Sequence, residues 1–118
     1  MKLEYILFFV ENVSQVRDFY TGTLGLKIIE DAEDGKFALL STGEGATLLG
    51  IHEGKPHASP PHTGIYFLVD DVDAMYEDLI SRGVEFSYPP KNMPWGRRMT
   101  EFHDPAGHTV GIASAIPR

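Results

Sequence analysis

The feature that most constrains how this chain folds is an internal repeat. Ile6-Leu7-Phe8-Phe9-Val10-Glu11-Asn12-Val13 matches Ile65-Tyr66-Phe67-Leu68-Val69-Asp70-Asp71-Val72 at a constant offset of 59, half of the 118-residue chain. A repeat of that period means that one supersecondary unit is built twice. In both copies an apolar run ends at Val and an acidic or amide pair. A helical stretch then begins near Ser14 or Asp73, both good N-cap residues. Val16, Phe19, Tyr20 and Leu24 in the first helix recur at spacings of three and four, as do Met75, Tyr76, Leu79 and Ile80 in the second. Each helix therefore carries one apolar stripe to lay on a sheet. Gly25 and Gly83 follow the stripes, where a helix commonly ends through a left-handed residue.

Three strands are predicted after each helix, at 27–31, 37–41 and 46–53, then at 85–88, 97–103 and 109–115. Asp34-Gly35, Gly43-Glu44-Gly45 and Asp104-Pro105-Ala106-Gly107 supply the bends. The order β-α-β-β-β, twice over, defines an α+β chain. Module one spans 1–53 and module two 63–118, within a single domain of 1–118. The segment 54–62 joining them has three prolines and no apolar periodicity, and is expected to be an exposed, mobile linker.

Composition removes several functions. With no cysteine there can be no disulfide, thiolate nucleophile or sulfur-ligated metal. A net charge of -7 opposes binding to phosphate backbones, so nucleic acid is not an expected partner and a cationic or neutral ligand fits better. The longest apolar run, Ile6 to Val10, is too short to span a bilayer, and the N-terminus reads directly into a strand. No membrane partner is expected, and the cytoplasm is the expected location. No phosphate loop, dinucleotide glycine pattern, helical zinc-protease pair or nucleophile elbow occurs. Asp70-Asp71-Val72-Asp73 reads as the start of the second helix, where negative charge favours the dipole.

Several segments together resemble the vicinal oxygen chelate superfamily, the group of glyoxalases, bleomycin-resistance proteins and extradiol dioxygenases. They are Val10-Glu11-Asn12-Val13, Asp18-Phe19-Tyr20, Leu24-Gly25-Leu26, Phe67 to Val72, Arg82-Gly83-Val84, Trp95-Gly96 and Asp104-Pro105-Ala106-Gly107-His108. The resemblance implies that the two modules form an open, cup-like, partly closed barrel with helices outside and a ligand inside, commonly as a homodimer. Metal-using members carry His or Glu at four positions that fall here on Tyr5, Gly50, Gly64 and Gly111. Glycine offers no donor and a lone phenol is a poor divalent site, so neither a metal nor another cofactor is expected. Those glycines have a second reading, as bulges or places of close backbone approach.

Period-2 alternation then separates the two faces of the strands. If Ile6, Phe8 and Val10 pack under a helix, Tyr5, Leu7 and Phe9 face the cup, and by the repeat so do Gly64, Tyr66 and Leu68. On the strand before Asp104, Met99 and Glu101 face inward while Thr100 and Phe102 face the helix layer. The candidate ligand-binding set is Tyr5, Leu7, Phe9, His52, Tyr66, Trp95, Arg97, Met99 and Glu101. Trp95, in a Pro-Gly loop, is the leading contact. Glu101 inside an apolar cup implies a cationic ligand group, an Arg partner such as Arg97, or a general base. His52 and Glu101 together are a candidate alternative metal site, while His57, His62, His103 and His108 read as surface. Three functions remain open: a metal-free protein that sequesters an aromatic or cationic small molecule such as an antibiotic, an enzyme, and a purely structural or regulatory dimer module. The enzyme would be a metal-dependent lyase or dioxygenase, or a metal-free isomerase with Glu101 as base.

Overall fold

The computed structural model describes residues 1–57 and 63–117; most of the expected linker, 58–62, lies outside the described residues. The chain divides into two compact units, Met1–His57 and Ala58–Arg118. Each holds one four-stranded mixed sheet and one α-helix.

In unit one, β1 (Tyr5–Val10) runs parallel to β4 (Leu48–Glu53), and β3 (Phe37–Ser41) and β2 (Lys27–Asp31) follow antiparallel, giving the order β1-β4-β3-β2. Helix α1 (Val13–Asp18) is capped by Asn12, whose Oδ1 accepts the Gln15 N–H at 3.1 Å. The cap falls two residues before Ser14, whose hydroxyl instead donates to the same Oδ1. After Asp18 the helix widens into a π-helical turn, Phe19–Thr23. There the Thr21 hydroxyl occupies the Arg17 carbonyl and Leu24 N–H reaches back to the Phe19 carbonyl. Gly25, at φ 84, ends it. The buried helical residues are Val13, Val16 and Tyr20; Phe19 and Leu24 are half-buried. Helix α1 packs over β3 and β4, against Ala38, Leu40 and Ile51. Of the β1 residues expected under it, Val10 is fully buried, Phe8 is half-buried and Ile6 stays exposed, because a six-residue helix does not cover the start of β1.

In unit two, β5 (Gly64–Leu68) is parallel to β8 (Thr109–Ala115), followed antiparallel by β7 (Arg97–His103) and β6 (Lys91–Asn92). Asp71, equivalent by the repeat to Asn12, caps α2 (Val72–Ser81) through Ala74 N–H, again two residues before the expected Asp73. Val72 and Leu79 are buried and Met75 and Tyr76 half-buried; Ile80, expected in the stripe, is 44 % exposed. Successive helical residues diverge by about 100°, so Leu79 and Ile80 cannot both face the sheet. The predicted strand 85–88 is reduced to a single bridge, Phe86 to Phe102, and the sheet edge is the two-residue β6. Pro89 and Pro90 lie between, with no N–H to donate to a ladder. On the helix side Phe86 packs tilted against Tyr76 and edge-on against Phe102, with ring centroids 4.6 and 5.1 Å away. Arg98 grips Asp73 with two hydrogen bonds, joining β7 to α2.

Two of the four histidines expected at the surface, His57 and His103, are exposed; His62 lies outside the described residues. His108 is 5 % exposed, a correction. Asp104 Oδ1 accepts the N–H groups of Ala106 and His108 at 2.9 Å each, and its Oδ2 meets His108 Nδ1 at 3.3 Å, so the turn that looked solvated folds its histidine inward.

Candidate functional site

Strand register turns the alternation of sequence into rows of side chains across each sheet. In unit two, on the face opposite the helix, one row runs Lys91, Met99, Ala113, Leu68. The adjacent row runs Glu101, Gly111, Tyr66. Arg97 shares the parity of Met99 and Glu101 on β7, as expected from sequence, and Thr100 and Phe102 are buried on the other side.

The central row contains the chemistry. Neighbouring strands lie about 4.8 Å apart, so Tyr66 and Glu101 are separated by the width of one strand, and the residue between them is Gly111. The Tyr66 ring lies across that gap: a Cβ on Gly111 would sit 2.2 Å from its Cδ1. Its hydroxyl reaches Glu101 and donates to Oε2 at 2.6 Å. Tyr88, from the segment before β6, donates to Oε1 of the same carboxylate at 2.6 Å. Glu101 is 3 % exposed, and a buried carboxylate costs several kcal/mol unless its oxygens are satisfied. Two short O–H bonds, one per oxygen, suit the ionised acid, each contributing about 1.5–3 kcal/mol. Burial pushes both phenols well above their usual range, and the Glu101 hydrogen bond and charge push them further. They therefore remain protonated donors at physiological pH.

Of the three sequence readings of Glu101, this arrangement sets aside the Arg97 partner. The Glu101 carboxylate is held by two phenols rather than by Arg97, whose guanidinium donates to the Gly96 carbonyl at 3.3 Å. Tyr88 was not among the candidates, although it lies in a segment expected to be a strand.

Beside this row is a cavity of about 630 Å³, lined by Tyr66, Phe67, Leu68, Lys91, Met93, Trp95, Arg97, Met99 and Ala113. Trp95 stands at the tip of the β6–β7 hairpin, 64 % exposed. Pro94 starts the turn, Met93 N–H bonds the Arg97 carbonyl at 2.7 Å, and Gly96 takes the positive φ that closes it. The charged residues of this lining are Lys91 and Arg97, both cations. The Lys91 ammonium lies 4.5 Å from the centroid of the Tyr88 ring.

The other four candidates belong to unit one. There the matching rows on the face opposite the helix are Phe9, His52, Phe37 and Leu7, Gly50, Leu39, with Tyr5 paired to Leu48. Tyr5, Leu7 and Phe9 are exposed, as expected for that face. His52 packs edge-on against Phe9 and tilted against Phe37, at 5.9 and 6.0 Å, with Nδ1 2.8 Å from the Glu53 carbonyl. The structure thus sorts the candidates into two sets, Tyr5, Leu7, Phe9 and His52 on one sheet and Tyr66, Trp95, Arg97, Met99 and Glu101 on the other.

The donor set at the four positions where the resemblance places metal ligands does not fit a divalent ion. Tyr5 is the one side-chain donor of the four, and two of the three glycines, Gly64 and Gly111, have no room for another. A Cβ on Gly64 would lie 1.9 Å from the Thr109 carbonyl oxygen, and one on Gly111 would overlap the Tyr66 ring. Gly64 is therefore a place of close backbone approach, and Gly111 a seat for a ring. Among the described residues no group of three or more His, Asp or Glu side chains is placed to hold a metal, including around His52 or Glu101.

Residues 2–112 match the model of the Glyoxalase/Bleomycin resistance protein/Dioxygenase superfamily, and the chain belongs to that family. A solved structure of a family member from Sphaerobacter thermophilus is 28 % identical with a TM-score of 0.83, covering 97 % of both chains. TnmS3, described as an antibiotic binding protein from Streptomyces sp. CB03234, is 30 % identical with a TM-score of 0.80, covering 98 % of this chain and 96 % of its own. CFP32 of Mycobacterium bovis and Mycobacterium tuberculosis, which carries a provisional glyoxylase name, is 28 % identical over 107 residues. That match takes in 86 % of this chain but spans only 41 % of those relatives' length. The paired β-α-β-β-β units are thus the α+β fold of this family. No helix among the described residues is long and apolar enough to cross a membrane.

Proposed function

We propose that this protein binds a small aromatic molecule on the open sheet face of unit two and holds it without a metal and without chemical change. The observation that carries the reading is the cavity of about 630 Å³, floored by Met99 and the stapled Tyr66 ring and overlooked by Trp95. Its size lies within the roughly 300–1,000 Å³ range of drug-sized ligand sites. Ring stacking on Tyr66 or Trp95 adds about 0.5–1.5 kcal/mol per pair beyond burial, and the methionines adapt to irregular shapes. The antibiotic-binding description of TnmS3 supports the same reading.

The enzyme alternatives have less in their favour. Three of the four metal positions are glycine, and both oxygens of Glu101 already accept hydrogen bonds from phenols, which lowers its value as a base. The reading includes a cytoplasmic homodimer; exposed Tyr5, Leu7, Phe9 and Ile29 on unit one support a partner surface, and sedimentation should give the mass of two chains.

The test is a titration with aromatic antibiotics of neutral, acidic and basic type, followed by fluorescence of Trp95, the sole tryptophan. At least one should give saturable quenching and raise the melting temperature, since a ligand at a hundred times its Kd adds about 2.7 kcal/mol. If none changes either signal, the reading fails.

A further inference from the structure

The acidic balance of the whole chain favours a cationic ligand, but the charges at the cavity say the opposite. With a net charge of -7, a chance lining would be carboxylate-rich, yet the ionisable groups at this cavity with charge to offer a ligand are Lys91 and Arg97. Glu101, on the same sheet face, is buried and accepts a hydrogen bond from a phenol on each oxygen. We infer that the preferred ligand is an aromatic acid, its ring on Tyr66, Met99 and Trp95 and its carboxylate or phenolate on Lys91 and Arg97.

The fold places both cations. Lys91 faces Met99 across the β6–β7 ladder, and Arg97 stands two residues before Met99 on the same face of β7, so the two cations flank the methionine floor. Lys91 has its ammonium over the Tyr88 ring, and that ring is tethered by its hydroxyl to Glu101. Glu101 thus holds two rings at once. Tyr66 forms the platform for an arene, and Tyr88 steers the cation that would meet the acid. A guanidinium adds a planar donor edge that matches a carboxylate. The long-range field of the acidic chain repels an anion, so the preference depends on short-range pairing inside the cavity.

This inference rests on the aromatic-binding reading above, and the experiment separates the two. Three probes share one ring system: 2-naphthoate, neutral 2-naphthamide and cationic 2-naphthylmethylamine. Binding to the full chain is followed by Trp95 fluorescence and calorimetry. The naphthoate should bind about tenfold more tightly than the amide, equivalent to about 1.4 kcal/mol, with the amine weakest. Arg97→Gln and Lys91→Met should each cut the naphthoate-to-naphthamide ratio about threefold, and the double variant should bring it near one. Arg82→Gln, at the C-terminal end of α2, should leave the ratio as it is. If the amide or amine binds as tightly as the naphthoate, or the double variant keeps the ratio, the charge preference is overturned while aromatic binding stands. If no probe binds, both are overturned.

Discussion

The two units begin from one repeated sequence and share one topology, yet the same row of their sheets does different things. In unit one the row is Leu7, Gly50, Leu39, and a Cβ at Gly50 would meet the methyl ends of Leu7 and Leu39 and the ring of Tyr5 at 3.1–3.4 Å. In unit two the equivalent row is Tyr66, Gly111, Glu101, and the glycine is spanned by a ring tied down at its far end. A glycine in the middle strand is common to both. What differs is whether its neighbours can bond across it. Aliphatic neighbours close over the gap by packing alone; a phenol and a carboxylate turn it into a fixed platform. One repeated frame thus carries two leucines across its glycine in unit one and a bonded phenol and carboxylate in unit two.

Substitutions that refill the glycine positions should break this comparison most severely. Gly64→Ala drives a Cβ into the Thr109 carbonyl, where backbone cannot give way, and should cost about 3 kcal/mol in chemical denaturation. Gly111→Ala should cost about 1–3 kcal/mol and weaken arene binding, because the Tyr66 ring must leave its seat. In the tether itself, Tyr66→Phe and Tyr88→Phe should each cost about 1–3 kcal/mol, and Glu101→Leu should remove most of the benefit of restoring either phenol in a double-mutant cycle.

A pH dependence follows from the raised phenols. Their folded values lie above the unfolded value of about 10, so their contribution is complete below pH ~10 and is lost as pH rises from there through the folded values. Denaturation midpoints measured from pH 8 to 11.5 should fall more steeply in the wild type than in the Tyr66→Phe/Tyr88→Phe variant; parallel curves would contradict the tether. The smallest effect belongs to unit one. Gly50→Ala should cost less than ~1 kcal/mol, since leucine ends can move a few tenths of an ångström.

Much of the fold was legible in the sequence, because repeat, stripe and turn signals are local. The 59-residue offset located both first strands and both helices, and Gly25 and Gly83 marked their ends. Errors arose where a local signal had two readings. Asn12 and Ser14, like Asp71 and Asp73, are all good caps, and only the chain direction selects the earlier one. Segment 85–88 has strand-like residues but runs into two prolines. His108 looked solvated because nothing local reveals that Asp104 folds back onto it.

The site was legible in direction but not in partnership. Alternation along β7 correctly sent Met99 and Glu101 to one face. It could not supply the cross-strand register that sets Gly111 between Glu101 and Tyr66, nor bring in Tyr88 from outside the sheet, nor show Lys91 opposite Met99. Those facts depend on tertiary pairing, which the single sequence does not encode locally.

The most direct test of the unit-two platform uses the methionine methyl groups. The chain has four methionines: Met93 and Met99 line the cavity, Met75 is on α2 and Met1 is terminal. With carbon-13 methyl labelling, titration with 2-naphthoate should shift the Met93 and Met99 signals and the Trp95 indole together, leaving Met75 and Met1 in place. Movement of Met75 or Met1 while Met93, Met99 and Trp95 stay still would contradict the account.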